Sequence, residues 1–530
     1  MTPSITPTET VVAFVGRCLR GPVNKPVTVR DFAAFQRIFG GLWPQSSLSY
    51  AVEHFFDHGG RCAVVVRVSN GGAPPTLTLK CADETLTLES RVPGSCEFLR
   101  ASVDYDNIPS IQSDCFNLVI QRVREPHSEF IEEQETYRRI STSSETQRFI
   151  GKELENSSLV KIVGAVPAQR PDATKAHGGR AIASYVHSNH DGTDGGPLSD
   201  YDLVGSATMH TGLFALLQVE HLDYLYLPPL RRDRDVGASA LLAATQFCSK
   251  RHAMLIVDPP LRWNSTEMAL KEVRDFYFNC DQALMFFPRI MTLNRQTGHY
   301  ECFGNGGAVA GLLARAEETC PPWAMNQGEP DLVLRHGVRL QVELNEQERW
   351  RLANHGINGL QLRRNNPIIK AVRRTLAGGV HASADFGYVR SRRFVLHILD
   401  NLERSTRWVM LSTPNRSMWS RLLRQVTEYM QGLVNVGAFP ETHMGREFFV
   451  VCDERINPVV VPVNGSVVSN AIPEINILVG FASWHAEQYH TYVITHSVAG
   501  SHTRAVAVNC YQASGDFSDA EQTLPLMALR

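Results

Sequence analysis

The chain has 530 residues, about as many as three domains of roughly 150 residues each. Hydrophobic residues make up 43% and charged residues 20%, enough to bury sizeable cores and to exclude wholesale disorder. The net charge of -2 argues against a dedicated nucleic-acid binder and fits self-association.

No run of about 18 apolar residues is present, so no transmembrane helix and no membrane insertion are expected. The first ten residues lack a basic region, and the apolar stretch after them ends at Gly16, so no signal peptide is expected either. Synthesis and retention in a cytoplasm follow as an expectation. The 11 cysteines form no Cys-x-x-Cys pair, which points to free thiols rather than disulfides or a zinc ribbon.

In chain order, residues 11–18 read as a strand, 28–39 and 48–56 as helices, and 62–68 as a buried strand. Residues 69–75 break the pattern. Period-two alternation follows at 76–79, 84–88 and 116–123, the texture of an antiparallel insertion. The α/β pattern resumes with strands at 222–227, 253–257 and 283–287. Helices are expected at 236–251, with Leu241, Leu242, Thr245 and Cys248 on one stripe, and at 307–316. Asn345 caps a helix closed by Gly356. Helices at 392–403 and 417–435 flank an expected strand at 407–411, and further strands are expected at 448–452, 475–482, 490–495 and 504–509.

The fold class is therefore α/β and α+β multidomain: an α/β core, an inserted β-rich domain and a C-terminal α+β domain. The expected boundaries are a short N-terminal segment 1–10, a core of 11–70 with 222–340, an insertion 71–221, a C-terminal domain 341–496 and an extension 497–530.

Candidate chemistry is sparse. His187, His190, Asp191 and Asp194 share a polar loop that could hold a divalent metal, but a solvated turn explains them as well. Gly304, Asn305, Gly306 and Gly307 precede a helix and could cradle phosphate, although a turn needing positive φ is the plainer reading. His485 and His490 flank Trp484 and Tyr489 as ordinary strand residues would. Arg363, Arg364, Arg373, Arg374 and residues 390–393 read as a solvated or protein-facing basic surface. No catalytic residue, metal ligand or cofactor site is assigned.

An ordered series of short segments carries a resemblance. It runs through residues 13–17, 19–26, 35–40, 50–56 with Gly59 and Gly60, and 192–195. It continues through Phe247, Cys248 and Arg251, then 256–259, 309–315, 342–344 and 356–358. It ends with Arg392, Arg393, Trp408, Val409, Leu411, Asn415, Trp419, 448–450, Cys452 and Asp453. Together these resemble the tail sheath proteins of contractile phages and phage-tail-like contractile injection systems, over roughly residues 11–495.

The resemblance implies a non-enzymatic structural subunit of a virion tail or contractile injection particle. Its expected partners are further copies of itself in stacked hexameric rings, an inner tube protein, and baseplate and terminator or cap proteins. Two departures stand out. The family's extended N-terminal arm has only about ten residues before Val11 to occupy, and the chain runs on to Arg530. They suggest a specialised terminal-ring or adaptor paralogue beside longer-armed sheath proteins as an alternative; a metal- or phosphate-binding enzyme is the other. Arg421 and Arg424, outward on the 417–435 helix, are expected to face an acidic tube. Val11, Val12, Val493, Ile494, Val506 and Val508 are candidates for strands shared between subunits.

Overall fold

The structure, a computed structural model, describes residues 9–109, 112–174, 184–273, 280–364, 366–379, 386–412, 415–441, 445–457, 474–484, 489–498 and 500–506. Its centre is a seven-stranded sheet. In spatial order the strands are Ile357–Gly359, Ala283–Phe287, Met254–Val257, Tyr224–Tyr226, Val11–Gly16, Cys62–Arg67 and Val27–Val29. All neighbouring pairs are parallel except the last, where Val27–Val29 runs antiparallel to Cys62–Arg67.

Alternate side chains of the first strand feed opposite cores. Val12 and Phe14 pack under the Ser47–Asp57 and Gly306–Thr319 helices. Ala13 and Val15 pack with the Ala238–Arg251 helix and the 3-10 turn Gly212–Gln218. Glycines bring the first pair of helices close: a Cβ on Gly307 would lie 2.2 Å from the Ala51 carbonyl, and one on Gly311 2.3 Å from that of Phe55.

The insertion leaves this sheet after Cys62–Arg67 and returns at Tyr224–Tyr226. It holds an antiparallel sheet of four strands and another of three, which share one core through Leu86, Leu88, Leu118 and Ile120. The C-terminal part packs the Val389–Thr406 and Arg416–Asn435 helices on a four-stranded antiparallel sheet. That sheet runs in the order Phe448–Val451, Ile475–Ala482, Tyr489–Ser497, Gly500–Ala505. Leu402, Trp419, Leu422 and Val426 from the helices meet Ile477, Val479 and Phe481 from the strands.

Several elements differ from the sequence expectation. Residues 407–411 form a 3-10 turn that joins two helices, not a strand. The helix expected over 28–39 is confined to Phe32–Phe39, capped by Asp31, because Val27–Val29 joins the sheet edge. The Ala238–Arg251 helix buries Ala240, Leu241, Ala244, Phe247 and Cys248, while Leu242 is 57% exposed. The expected strand at 504–509 is placed at Gly500–Ala505; residues 507–509 lie outside the described residues. Among the described residues no helix is long and apolar enough to cross a membrane.

Candidate functional site

The carboxyl ends of the parallel strands are where an α/β sheet of this order would receive a ligand, at the point where strand order reverses. That point lies between Val11–Gly16 and Tyr224–Tyr226. Beside it, at the carboxyl ends of Tyr224–Tyr226 and Met254–Val257, the protein's own side chains meet. Asp258 presents Oδ1 to the Gly306 amide at the N-terminus of the Gly306–Thr319 helix, 2.9 Å away, and Oδ2 accepts the Tyr226 hydroxyl. A phosphate at this helix N-terminus would meet a carboxylate already in place. Gly304, Gly306 and Gly307 are needed for close approach rather than positive φ. A Cβ would lie 1.9 Å from Asp258 Oδ2 at Gly304 and 2.4 Å from the Tyr226 ring at Gly306. Burial, then the neighbouring Asp258 charge, push the Tyr226 phenol well above its ordinary value, so it stays a hydrogen-bond donor.

The His187–Asp194 loop does not converge on a point. Asp191 accepts from the Thr76 amide at 2.9 Å, and Asp194 from the Ser95 amide and hydroxyl at 3.1 and 2.7 Å. His187 lies in a short strand with its ring centroid 4.7 Å from that of His127. These contacts clamp the neck of the insertion. Gly195, at φ 85°, bridges Asn70, and a Cβ there would lie 2.2 Å from the Asn70 carbonyl.

The basic segments are largely internal. Of the stretches expected to be solvated or protein-facing, Arg373, Arg392 and Arg393 are buried, while Arg363 and Arg364 are exposed. Arg393 is the hub of an ionic cluster between the core sheet and the C-terminal helices. Its Nη2 lies 2.7 Å from Asp223 Oδ1, and Nε and Nη2 each lie 2.8 Å from Glu317. His221 bridges Asp223 at 3.0 Å and Asp400 at 2.8 Å. Asp400 also accepts from Arg404 at 2.8 Å. One turn on, Glu403 meets His252 at 2.9 Å and Arg407 at 3.2 Å. Thr406 then reaches His496 at 2.7 Å.

Burial opposes the charge on His221, but Asp223 and Asp400 outweigh it and raise its pKa to about 10. Burial likewise works against ionised Asp223, yet His221 and Arg393 hold its carboxyl well below the usual range. The sequence gives no sign of this cluster, because its members are scattered from 221 to 496 and meet only in the fold.

The candidate assembly residues lie in the C-terminal part, apart from two. Arg421 and Arg424 are exposed on the Arg416–Asn435 helix, and the Arg421 guanidinium lies 4.5 Å from the Trp408 ring centroid. Val493 and Ile494 belong to an inner strand, paired on both sides. Among the described residues the edges of that sheet are Phe448–Val451 and Gly500–Ala505, with Val506 directly after the latter. Val11 and Val12 are likewise inner, paired to Cys62 and Ala63 on one side, while Val12 meets Tyr224 on the other. Their ladder is complete within the subunit. Val508 lies outside the described residues.

No family model and no curated protein sequence matches the chain. Among solved structures, the sheath tail protein of Listeria innocua superposes with TM-score 0.61 over 93% of this chain and 96% of that one, at 12% identity. The chain has the sheath tail protein fold. A second sheath tail protein, from Desulfitobacterium hafniense, matches with TM-score 0.52 over 94% of this chain and 98% of that one, at 11% identity. The contracted helical sheath of the anti-feeding prophage is a more distant likeness, at TM-score 0.48, 11% identity, and 92% and 93% coverage. The sheath fold accounts for the core, the insertion and the C-terminal part together, since both sheath tail proteins match across nearly their whole length.

Proposed function

We propose that this chain is a structural subunit of a contractile sheath. Copies of it form hexameric rings that stack helically around an inner tube, bind a baseplate at one end and a terminator or cap at the other, and drive the tube outward on contraction. The whole-chain likeness to a sheath tail protein carries the reading.

Two features of the chain support it. At the N-terminus of the Gly306–Thr319 helix Asp258 already holds the Gly306 amide, which leaves a phosphate facing a carboxylate there. The C-terminal sheet presents Gly500–Ala505 as an edge, the kind of strand that another chain extends. Contraction needs a subunit with bistable packing against its neighbours, not a bound nucleotide.

The purified full-length chain should sediment as hexamers or multiples of them, with six-fold rings visible by electron microscopy. A monodisperse monomer at all concentrations, also when mixed with particles of its own kind, would remove the proposal.

A further inference from the structure

A groove of about 430 Å³ opens beside the edge strand Ile357–Gly359 of the central sheet. Phe286 and Ile369 lie buried at its floor, while Trp350 and Val372 stand on its rim, 66% and 68% exposed. Large apolar side chains this open around a concavity mark a binding surface. Its charge is lopsided: Arg349, Lys370, Arg373 and Arg374 line it together with one acid, Glu346. Arg373 is committed to Glu329 at 2.7 Å, whereas Lys370 is half exposed and keeps a 3.6 Å contact with Asp331. The groove suits a large apolar side chain flanked by carboxylates.

The insertion carries that chemistry at the opposite edge of the same sheet. The turn between Cys115–Val123 and Ile131–Ser141 ends at Phe130, and Phe130 and Ile131 are 54% and 42% exposed. Residues 125–133 hold four glutamates and no lysine or arginine. Arg124, just before them, is occupied by Glu132 at 3.3 Å and by the Phe130 ring, 4.0 Å from its guanidinium. Glu125 and Glu129 are exposed and take part in no ion pair among the described residues. The turn is braced, since Arg100 Nη1 donates to the Ser128 carbonyl at 3.1 Å and Glu132 pairs with Arg20. Arg20 in turn lies by the Cys62–Arg67 side of the sheet: its amide donates to Phe39 at 3.3 Å, and the Asn24 amide donates to Arg67 at 2.8 Å. Five strand spacings, about 24 Å, separate Cys62–Arg67 from Ile357–Gly359. A braced turn on one side of the sheet does not reach the groove on the other side of its own subunit.

We propose that this turn seats in the groove of a second copy of the chain, with Phe130 between Trp350 and Val372, and Glu125 and Glu129 meeting Lys370 and Arg374. The apolar side chains hold the contact, and the charges steer it and fix its register. Two different surfaces on opposite edges of one subunit make a head-to-tail contact. Such a contact closes into a ring or continues as a helix instead of stopping at a dimer. The inference names where copies meet, and in that it rests on the sheath reading.

Cross-linking tests it on the full-length chain. Ala353→Cys puts a thiol in the groove and Pro126→Cys one on the exposed turn, and both leave Phe130, Trp350 and the charged groups in place. With a short bismaleimide at low salt, a mixture of the two single variants should give cross-linked dimers that neither gives alone. The double variant should give a ladder of higher multimers. Gln361→Cys serves as a second groove position. Lys370→Glu in the groove partner, or Glu129→Lys in the turn partner, should cut the dimer yield about fivefold, and the two together should restore it. No dimer from the mixture at either groove position, a link within one chain of the double variant, or a yield indifferent to charge would overturn the proposal. Six-fold rings seen by electron microscopy without the cross-link would overturn it and leave the sheath reading standing, whereas a chain that stays monomeric would overturn both.

Discussion

Arg393 is the residue on which the junction between the core sheet and the C-terminal helices turns. It is 3% exposed and faces Asp223 and Glu317. Removing one partner of a buried ionic cluster leaves the others charged and unpaired, at a cost of about 3–5 kcal/mol. Arg393→Met should therefore lower the urea midpoint strongly, whereas Arg424→Met on the exposed helix face should leave it nearly unchanged. Equal midpoints for the two variants would show that the cluster does not stabilise the chain. Histidines set the pH response. Burial lowers His397 to about 3 and His496 to about 4, so both are neutral in the fold. The unfolded chain protonates them near pH 6.5, binds more protons, and gains on the fold as pH falls from about 6.5 towards 4. His221 acts oppositely. Raised to about 10, it stabilises the fold fully below about pH 6.5, and that contribution is lost as pH rises towards 10. Thermal stability should peak near neutral pH. His397→Phe, which keeps a ring against Trp323, should recover roughly 2–3 kcal/mol at pH about 4. Melting curves that show the same acid loss in the variant would contradict this. None of these roles is legible in the sequence, where Arg393 stands in a run of basic residues and His221 is an isolated histidine. A pairing that depends on positions far apart in the chain leaves no local pattern.

At the scale of single elements, the Arg416–Asn435 helix divides its labour by face. Trp419, Leu422, Val426, Tyr429, Met430 and Leu433 are buried, while Arg421 and Arg424 are exposed. Under the sheath reading this outer face meets an acidic tube. Arg421→Glu with Arg424→Glu should leave the fold intact and reduce co-assembly with the tube protein severalfold, measured by co-sedimentation. Unimpaired co-assembly would place the tube contact elsewhere. The helix is legible because its apolar residues recur at helical spacing around an Asn415 cap, whose Oδ1 accepts the Met418 amide at 2.8 Å. The buried parallel strands are equally legible as short β-branched runs. Other elements hide. Ile131–Ser141 is a sheet-edge strand rich in glutamate and half exposed, so neither alternation nor propensity announces it. Residues 407–411 carry strand-forming Trp408 and Val409, yet they lie in a tight link between two helices, where the 3-10 turn wins. On the Ala238–Arg251 helix, small Ala240 and Ala244 face the sheet and the larger Leu242 does not, so size alone misplaces the stripe.

At the scale of the whole molecule, the architecture follows from one crossing. The chain builds Val11–Gly16 and Cys62–Arg67 side by side, then must pass to the far side of Val11–Gly16 to add Tyr224–Tyr226. The β-rich insertion occupies that crossing, its neck held by Asp191, Asp194 and Gly195. The glycines that resemble a phosphate cradle serve packing, and the acidic loop that resembles a metal site serves the neck. Both were visible as motifs, but what they touch is decided by the sheet order, which no single segment encodes. Sheath assembly is the central claim, and cryo-electron microscopy of particles from the native source tests it most directly. Density for this chain should repeat in six-fold rings that stack helically around a tube. The chain as a lone copy in the particle, or as a free monomer beside a sheath built from other proteins, would contradict it.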